Sequence, residues 1–396
     1  MKIQLSHRIK LVCICTISII LLVPIAYPQA SKTNNNDLQT QSPNVDISTL
    51  SLTNKGENTN ASVSSNKASI LADFCKNKHV TANFSNPYGV AYDGKSNLYV
   101  ADRQNHRIQK IVVSSGAVTT LAGCTTSGFI NGKGSAARFY YPSGVAYDGN
   151  GNLYVADQSN NMIRKIVIST GLVTTFAGTI SNGEADGTIT SARFSDPYGI
   201  TYDVSGNLYV TDSGNNKIRK IAISTGEVTT LAGNGSWSSV DGTGIAASFY
   251  YPSGITSDNK GNLYVSDLGS YKIRKINIYK GIVTTLAGCG NNGAIDGIGK
   301  VASFYHPIGV AYDGLGNLYV TDQTNNRIRR IVISTSVVST VAGCEKVGSS
   351  NGVGKVASFY NPTGITYDGL GNLYVTDSGN NKIRKIVIST GIVSTL

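Results

Sequence analysis

Hydrophobic positions in this chain recur at two periods at once. Within Asn207–Asp212, Leu208 and Val210 point one way and Tyr209 the other, the two-residue alternation of a β-strand. Both sides are apolar, so both faces of this strand must be covered. The same run returns at Asn97–Asp102, Asn152–Asp157, Asn262–Asp267, Asn317–Asp322 and Asn372–Asp377, six copies spaced 55 residues apart without insertion. A fixed long period marks a solenoid or a propeller and outweighs any element-by-element reading.

One unit, Asp196–Gly233, resolves into four strands. Pro197–Asp203 is the first, with proline at its opening position, where no ladder donor is lost. Val204–Gly206 is a hairpin turn, and Asn207–Thr211 is the second strand. Asp212–Asn216 is a turn of residues that bond their own backbone. Lys217–Ser224 is the third strand, Thr225–Gly226 turns again, and Glu227–Ala232 is the fourth. Four antiparallel strands repeated six times predict an all-β fold, a six-bladed β-propeller of four-stranded blades. In the loop between units Phe84, Phe139, Phe194, Phe249, Phe304 and Phe359 keep one position, read as a plug between neighbouring blades. Closure is expected from Ser69–Asp73, which echoes Thr230–Gly233 and could add an edge strand to the last blade.

Composition agrees: 44 glycines and 22 tyrosines with only 14% charged residues suit a β-protein rich in tight turns. The amino terminus differs. Lys2, Arg8 and Lys10 precede the apolar run Leu11–Tyr27, the pattern of an export signal. No clean small-x-small cleavage pair lies near Ala26 or Ala30, so an uncleaved anchor is the alternative. Residues 31–67 are polar and read as a disordered linker. The division is thus 1–30 signal peptide or anchor, 31–67 linker and 68–396 propeller, with a secreted, periplasmic or cell-surface location. Of the net charge of +11, residues 1–80 carry +4, and the remainder is spread over the repeats.

The succession Pro-x-Gly-Val/Ile, Gly-Asn-Leu-Tyr-Val-x-Asp and Asn-Asn/His-Lys/Arg-Ile-Arg-Lys resembles the NHL repeat. Asn105-His106-Arg107-Ile108 matches the name-giving motif best. Asn160-Asn161, Asn215-Asn216, Asn325-Asn326 and Asn380-Asn381 replace the histidine, and Ser270-Tyr271 departs further. The resemblance implies a propeller but no single activity. Its relatives include protein- and RNA-binding scaffolds and lyase-type enzymes with a metal in the central channel.

Candidate chemistry is sparse. His7, His79, His106 and His306 do not converge as a zinc site requires, so no metal ligands are assigned. Twelve periodic aspartates head hairpins (Asp93, Asp148, Asp203, Asp258, Asp313, Asp368) or turns (Asp102, Asp157, Asp212, Asp267, Asp322, Asp377), where aspartate serves the backbone. The triplets Lys217/Arg219/Lys220, Lys272/Arg274/Lys275 and Arg327/Arg329/Arg330 read as charged strand edges that resist aggregation, with arginine able to pair with a nearby aspartate, and nucleic-acid binding is the sharper but disfavoured reading. Cys124, Cys289 and Cys344 share one repeat position. Cys289 and Cys344 would lie on adjacent blades and Cys75 near Cys124, so disulfides are an open expectation.

Symmetry breaks around the proline. Before it stand Asn86, Tyr141, Asp196, Tyr251, His306 and Asn361; after it Tyr88, Ser143, Tyr198, Ser253, Ile308 and Thr363; two before it Tyr140, Tyr250, Tyr305 and Tyr360. All should ring one mouth of the channel. No catalytic residue is assigned. The binding-face candidates are Tyr88, Tyr140, Tyr141, Tyr198, Tyr250, Tyr251, Tyr305, His306 and Tyr360. They suit a protein or glycan partner. The expected molecule is an exported, monomeric binding scaffold without a cofactor. It touches a membrane only through an N-terminal anchor and does not bind nucleic acid. The alternative is a lyase or lactone hydrolase using channel aspartates, with calcium in the channel.

Overall fold

A computed structural model describes residues 83–396. The signal or anchor segment, the polar linker, the expected Ser69–Asp73 latch, Cys75, His7 and His79 lie outside the described residues. Among the described residues no helix is long and apolar enough to cross a membrane.

Six antiparallel sheets follow one another. In the third, Pro197–Tyr202, Asn207–Asp212, Lys217–Ala222 and Glu227–Ala232 run from the inside outward. Blades two to six each gain a fifth strand that was not foreseen. It is a two-residue piece of the preceding loop, such as Gly187–Thr188, pairing with the outermost strand. The first blade has four. The second strand of every blade is buried over its last five residues, as its two apolar faces require.

The Pro-x-Gly motif explains how the innermost strands meet. A Cβ on Gly89 would collide with the carbonyl oxygen of Ser143 in the next blade. The same holds for Gly144 and Tyr198, Gly199 and Ser253, Gly254 and Ile308, Gly309 and Thr363, and Gly364 and Tyr88. Only glycine allows backbone to approach backbone this closely. The last of these pairs joins the sixth blade to the first, so the ring closes. At that seam Asn381 Oδ1 accepts from the Asn86 N–H (2.7 Å) and the Tyr92 and Tyr374 rings stack at 6.4 Å.

Phe139 is fully buried in a cluster holding Ala91, Tyr99 and Ile108 of one blade and Leu153, Val155 and Ile166 of the next, so it does plug the gap between blades. Above it lies a second tie. Arg219 is completely buried, with Nη1 on Asp212 (2.7 Å), Nη2 on Asp186 of the preceding loop (2.7 Å), and its guanidinium 5.2 Å from the Phe194 ring centre. Arg164, Arg274, Arg329 and Arg384 repeat the arrangement with Asp157, Asp267, Asp322 and Asp377. Those aspartates also fix the loop, as where Asp212 Oδ1 accepts the Ser195 N–H at 2.7 Å. The central arginine of each basic triplet is therefore no exposed edge; it clamps loop to sheet from inside. The other aspartate series caps hairpins: Asp203 Oδ1 accepts from the Ser205 and Asn207 N–H groups at 3.0 and 2.8 Å.

Cys289 and Cys344 are free thiols, so the pairing of equivalent points on adjacent blades does not occur. Cys124 is disulfide-bonded; the expected closeness of Cys75 lies outside the described residues.

Candidate functional site

In each blade the second-to-third-strand turn and the loop to the next blade emerge on the same face. The residue before each proline adopts a left-handed backbone: Asn86, Tyr141, Asp196, Tyr251, His306 and Asn361 have φ between 47° and 54°. Positive φ is uncommon for a residue with a large side chain. Here the preceding blade holds it. Tyr141, Asp196, Tyr251 and Asn361 donate their N–H to His106 Nδ1, Asn161 Oδ1, Asn216 Oδ1 and Asn326 Oδ1 at 2.9–3.2 Å. The His or Asn of the repeat motif is thus an inter-blade acceptor, which sequence reasoning left without a role.

This strained conformation aims the tyrosines outward in three clusters. Between blades one and two, Tyr140 and Tyr141 stack at 5.0 Å and the His106 ring lies 4.9 Å from Tyr141. Between blades three and four, Tyr250 and Tyr251 stack at 5.3 Å, and Trp237 lies nearly parallel to Tyr250 at 6.4 Å and 13°. Between blades four and five, Tyr305, His306 and Tyr271 gather within 4.7–5.8 Å. Tyr360 stands apart, its ring against Gly379, which is open enough only because it has no Cβ.

Tyr88 and Tyr198 begin the innermost strands of blades one and three, yet their hydroxyls touch and their rings meet edge to face at 5.3 Å. The Arg103 guanidinium lies 5.1 Å from the centre of Tyr88 and 4.9 Å from that of Tyr141. It also donates to Gln158 Oε1 at 3.0 Å. Arg103 thereby joins the Tyr88–Tyr198 pair to the first cluster. Burial pushes the Tyr88 hydroxyl up to about 12, against the pull of Arg103. Burial holds both His106 and His306 below the ordinary histidine range; Arg103 adds to the effect on His106 and Asp102 opposes it.

Not every expected residue reaches this face. Ser143, Ser253 and Thr363 are buried in the seams; Ser143 Oγ donates to the Tyr198 carbonyl at 2.8 Å. Ile308 is buried as well. Trp237, Tyr271 and Arg103 were missed. Their signal lies in the sequence, since each stands where the other repeats have different residues, but away from the proline around which the other departures gather.

The channel itself holds a cavity of about 220 Å³ lined by valine, isoleucine, alanine, threonine and tyrosine of the innermost strands, Tyr92, Tyr147 and Tyr202 among them. The aspartates that an enzymatic reading would place there sit in hairpins and arginine clamps instead. Among the described residues no three His, Cys, Asp or Glu side chains gather as metal ligands would.

A ring of six such blades, with these seams and clamps, defines a repeat propeller. Five segments, 84–111, 139–165, 194–221, 304–331 and 359–386, match the NHL repeat model, and the molecule is an NHL-repeat β-propeller. The fourth repeat, which carries Ser270 and Tyr271, is not among those five segments. The chain is 30% identical to NHL repeat-containing protein 2 of Bos taurus over 346 residues, covering 78% of this chain and 47% of that one. It spans less than half the length of the curated relatives it matches. In fold it is similar to an auxiliary nutrient binding protein from Bacteroides thetaiotaomicron (TM-score 0.59, 17% identity, 79% of this chain and 70% of that one). It is similar also to streptogramin B lyase (TM-score 0.52, 16% identity, 80% and 84%). At these identities the likeness is one of fold.

Proposed function

We propose that the protein is an exported binding scaffold that recognises a protein or glycan through its aromatic face. The observation that carries this reading is the set of aromatic clusters at three blade junctions, mounted on backbone held in an uncommon conformation. Tyrosine and tryptophan offer flat apolar area with a polar tip at low entropy cost, which suits partners carrying both apolar faces and hydrogen-bonding groups. Trp237 is 63% exposed and Tyr140, Tyr251 and Tyr360 about 40%. The clusters differ in composition while the blades beneath them do not, as one asymmetric partner would demand.

The test uses Trp237, the only tryptophan in the chain, as reporter. Binders found on a glycan array or in an extracellular protein panel should shift its emission on titration. The Tyr141→Ala/Tyr251→Ala variant, shown to be folded by its melting curve, should bind them at least tenfold more weakly. A folded double variant with undiminished affinity would remove this face from the account.

A further inference from the structure

The outer rim breaks the repeat in a way the aromatic face does not share. In blades five and six the two-residue fifth strand leads into a short 3-10 helix: Gly297–Ile298 into Gly299–Val301, and Gly352–Val353 into Gly354–Val356. Ile298 stands opposite Val337 of the outermost strand, and Val353 opposite Ile392. Val301 folds back over Gly297 and Val356 over Gly352, where a Cβ would meet their Cγ1 atoms at 3.1 and 3.0 Å. Each of the two blades thus gathers three aliphatic side chains at one place on the rim. All six are exposed, Val356 by 74%, Val301 by 67%, Ile298 by 62% and Val353 by 55%.

The same three places hold other residues elsewhere. Blade two has Lys133, Ala136 and Leu172, and blade three has Thr188, Ser191 and Glu227. Just before Val301 and Val356 stand Lys300 and Lys355, both exposed, where blades two and three have Ser135 and Thr190. Asp296, the acid of this loop in blade five, is taken by Arg329 at 2.8 Å, and its counterpart in blade six is the neutral Asn351. These two rims are therefore apolar and cationic at once. Exposed aliphatic residues that stand singly are ordinary; three together, repeated on adjacent blades, mark a contact surface.

We propose that the rim of blades five and six is a docking surface for an anionic lipid bilayer. The protruding aliphatic side chains enter the boundary between headgroups and acyl chains, and the lysines beside them meet the negative headgroups. Of the edges of a ring, only neighbours can rest on one flat surface together, and these two are neighbours. A second copy of the chain is the weaker occupant, because a two-fold contact through this surface sets lysines against lysines. The contact lies on the ring itself, apart from the N-terminal apolar run and independent of the aromatic face.

Hydrogen exchange of the full chain, read segment by segment by mass spectrometry with and without vesicles, tests this. Vesicles of phosphatidylcholine and phosphatidylglycerol should slow exchange several-fold across 297–301 and 352–356 and leave the counterparts 132–136 and 187–191 unchanged. Vesicles of phosphatidylcholine alone should protect less. An attachment through the N terminus acts in both vesicle types and favours no rim segment, so it does not reproduce this pattern. Ile298→Thr/Val301→Ser/Val353→Thr/Val356→Ser gives both rims the residues of blade three. It alters only exposed side chains and should keep the melting temperature while abolishing the protection. Lys300→Ser/Lys355→Ser should remove the difference between the two vesicle types. No protection of 297–301 and 352–356, equal protection of all four segments, or full protection in the folded four-residue variant would overturn the proposal. So would a concentration-dependent dimer, seen in sedimentation and abolished by the same variant, since it would give the rim to a second copy.

Discussion

His106 shows how one residue serves both a seam and a surface. Its Nδ1 accepts the Tyr141 N–H, so the neutral ring is the folded form, while its ring contacts Tyr140 and Tyr141. A depressed folded pKa sets the sign of the pH dependence. The unfolded histidine takes up its proton near pH 6.5 while the folded one still resists. Its contribution is therefore complete above about 6.5 and is lost as pH falls through the folded pKa. Its contribution to urea midpoints measured from pH 7.5 down to 5 should be a fall, set against the opposite trend of buried Asp157 and Asp212, whose carboxyls burial pushes up to about 6. In His106→Asn, which installs the acceptor other blades use, the fall should be shallower, with His306 accounting for part of what remains. An unchanged slope would show that His106 does not carry it. The role of this position was not legible in the sequence, because an acceptor for a neighbouring blade leaves no mark on its own strand pattern.

At the scale of the blade, strand periodicity was enough to place the four strands to within a residue or two, since each alternation of apolar side chains reports a covered face. The two-residue fifth strand escaped, being too short to show any period. The arginine clamp was legible only in part: pairing of arginine with a nearby aspartate was expected, but a basic residue on a strand normally signals water, and only the geometry reveals that Arg219 is buried and meets carboxylates on two sides. The clamp predicts a large mutational effect. Arg219→Ala leaves Asp212 buried and unpaired and removes the group lying over Phe194, which should cost about 3–5 kcal/mol. Denaturant unfolding would measure this, and a loss under about 1 kcal/mol would mean the loop is held otherwise.

For the molecule as a whole, six copies at one fixed spacing made the ring legible, whereas the binding chemistry was visible only where the repeats disagree. Tyr88 and Tyr198 looked like independent rim positions, and their contact across an intervening blade depends on ring curvature that no linear pattern encodes. The ring also predicts how the chain tolerates rearrangement. Phe84 and Leu396 pack on the same cluster at the closing seam. Linking Leu396 to Phe84 through a short glycine-serine segment and opening the chain before Asp196 should give a protein that melts in one cooperative transition with native circular dichroism. A chain that stays unfolded would show that the sixth-to-first seam is weaker than its counterparts.

The glycines on the innermost strands have a wider implication. Because carbonyl oxygens, rather than side chains, stand against Gly89, Gly144, Gly199, Gly254, Gly309 and Gly364, the bore is fixed by main chain and cannot be retuned by ordinary substitution. Diversification is thereby pushed to the two flat ends, where a tyrosine can become a serine or a histidine without disturbing the axle on which the wheel is mounted.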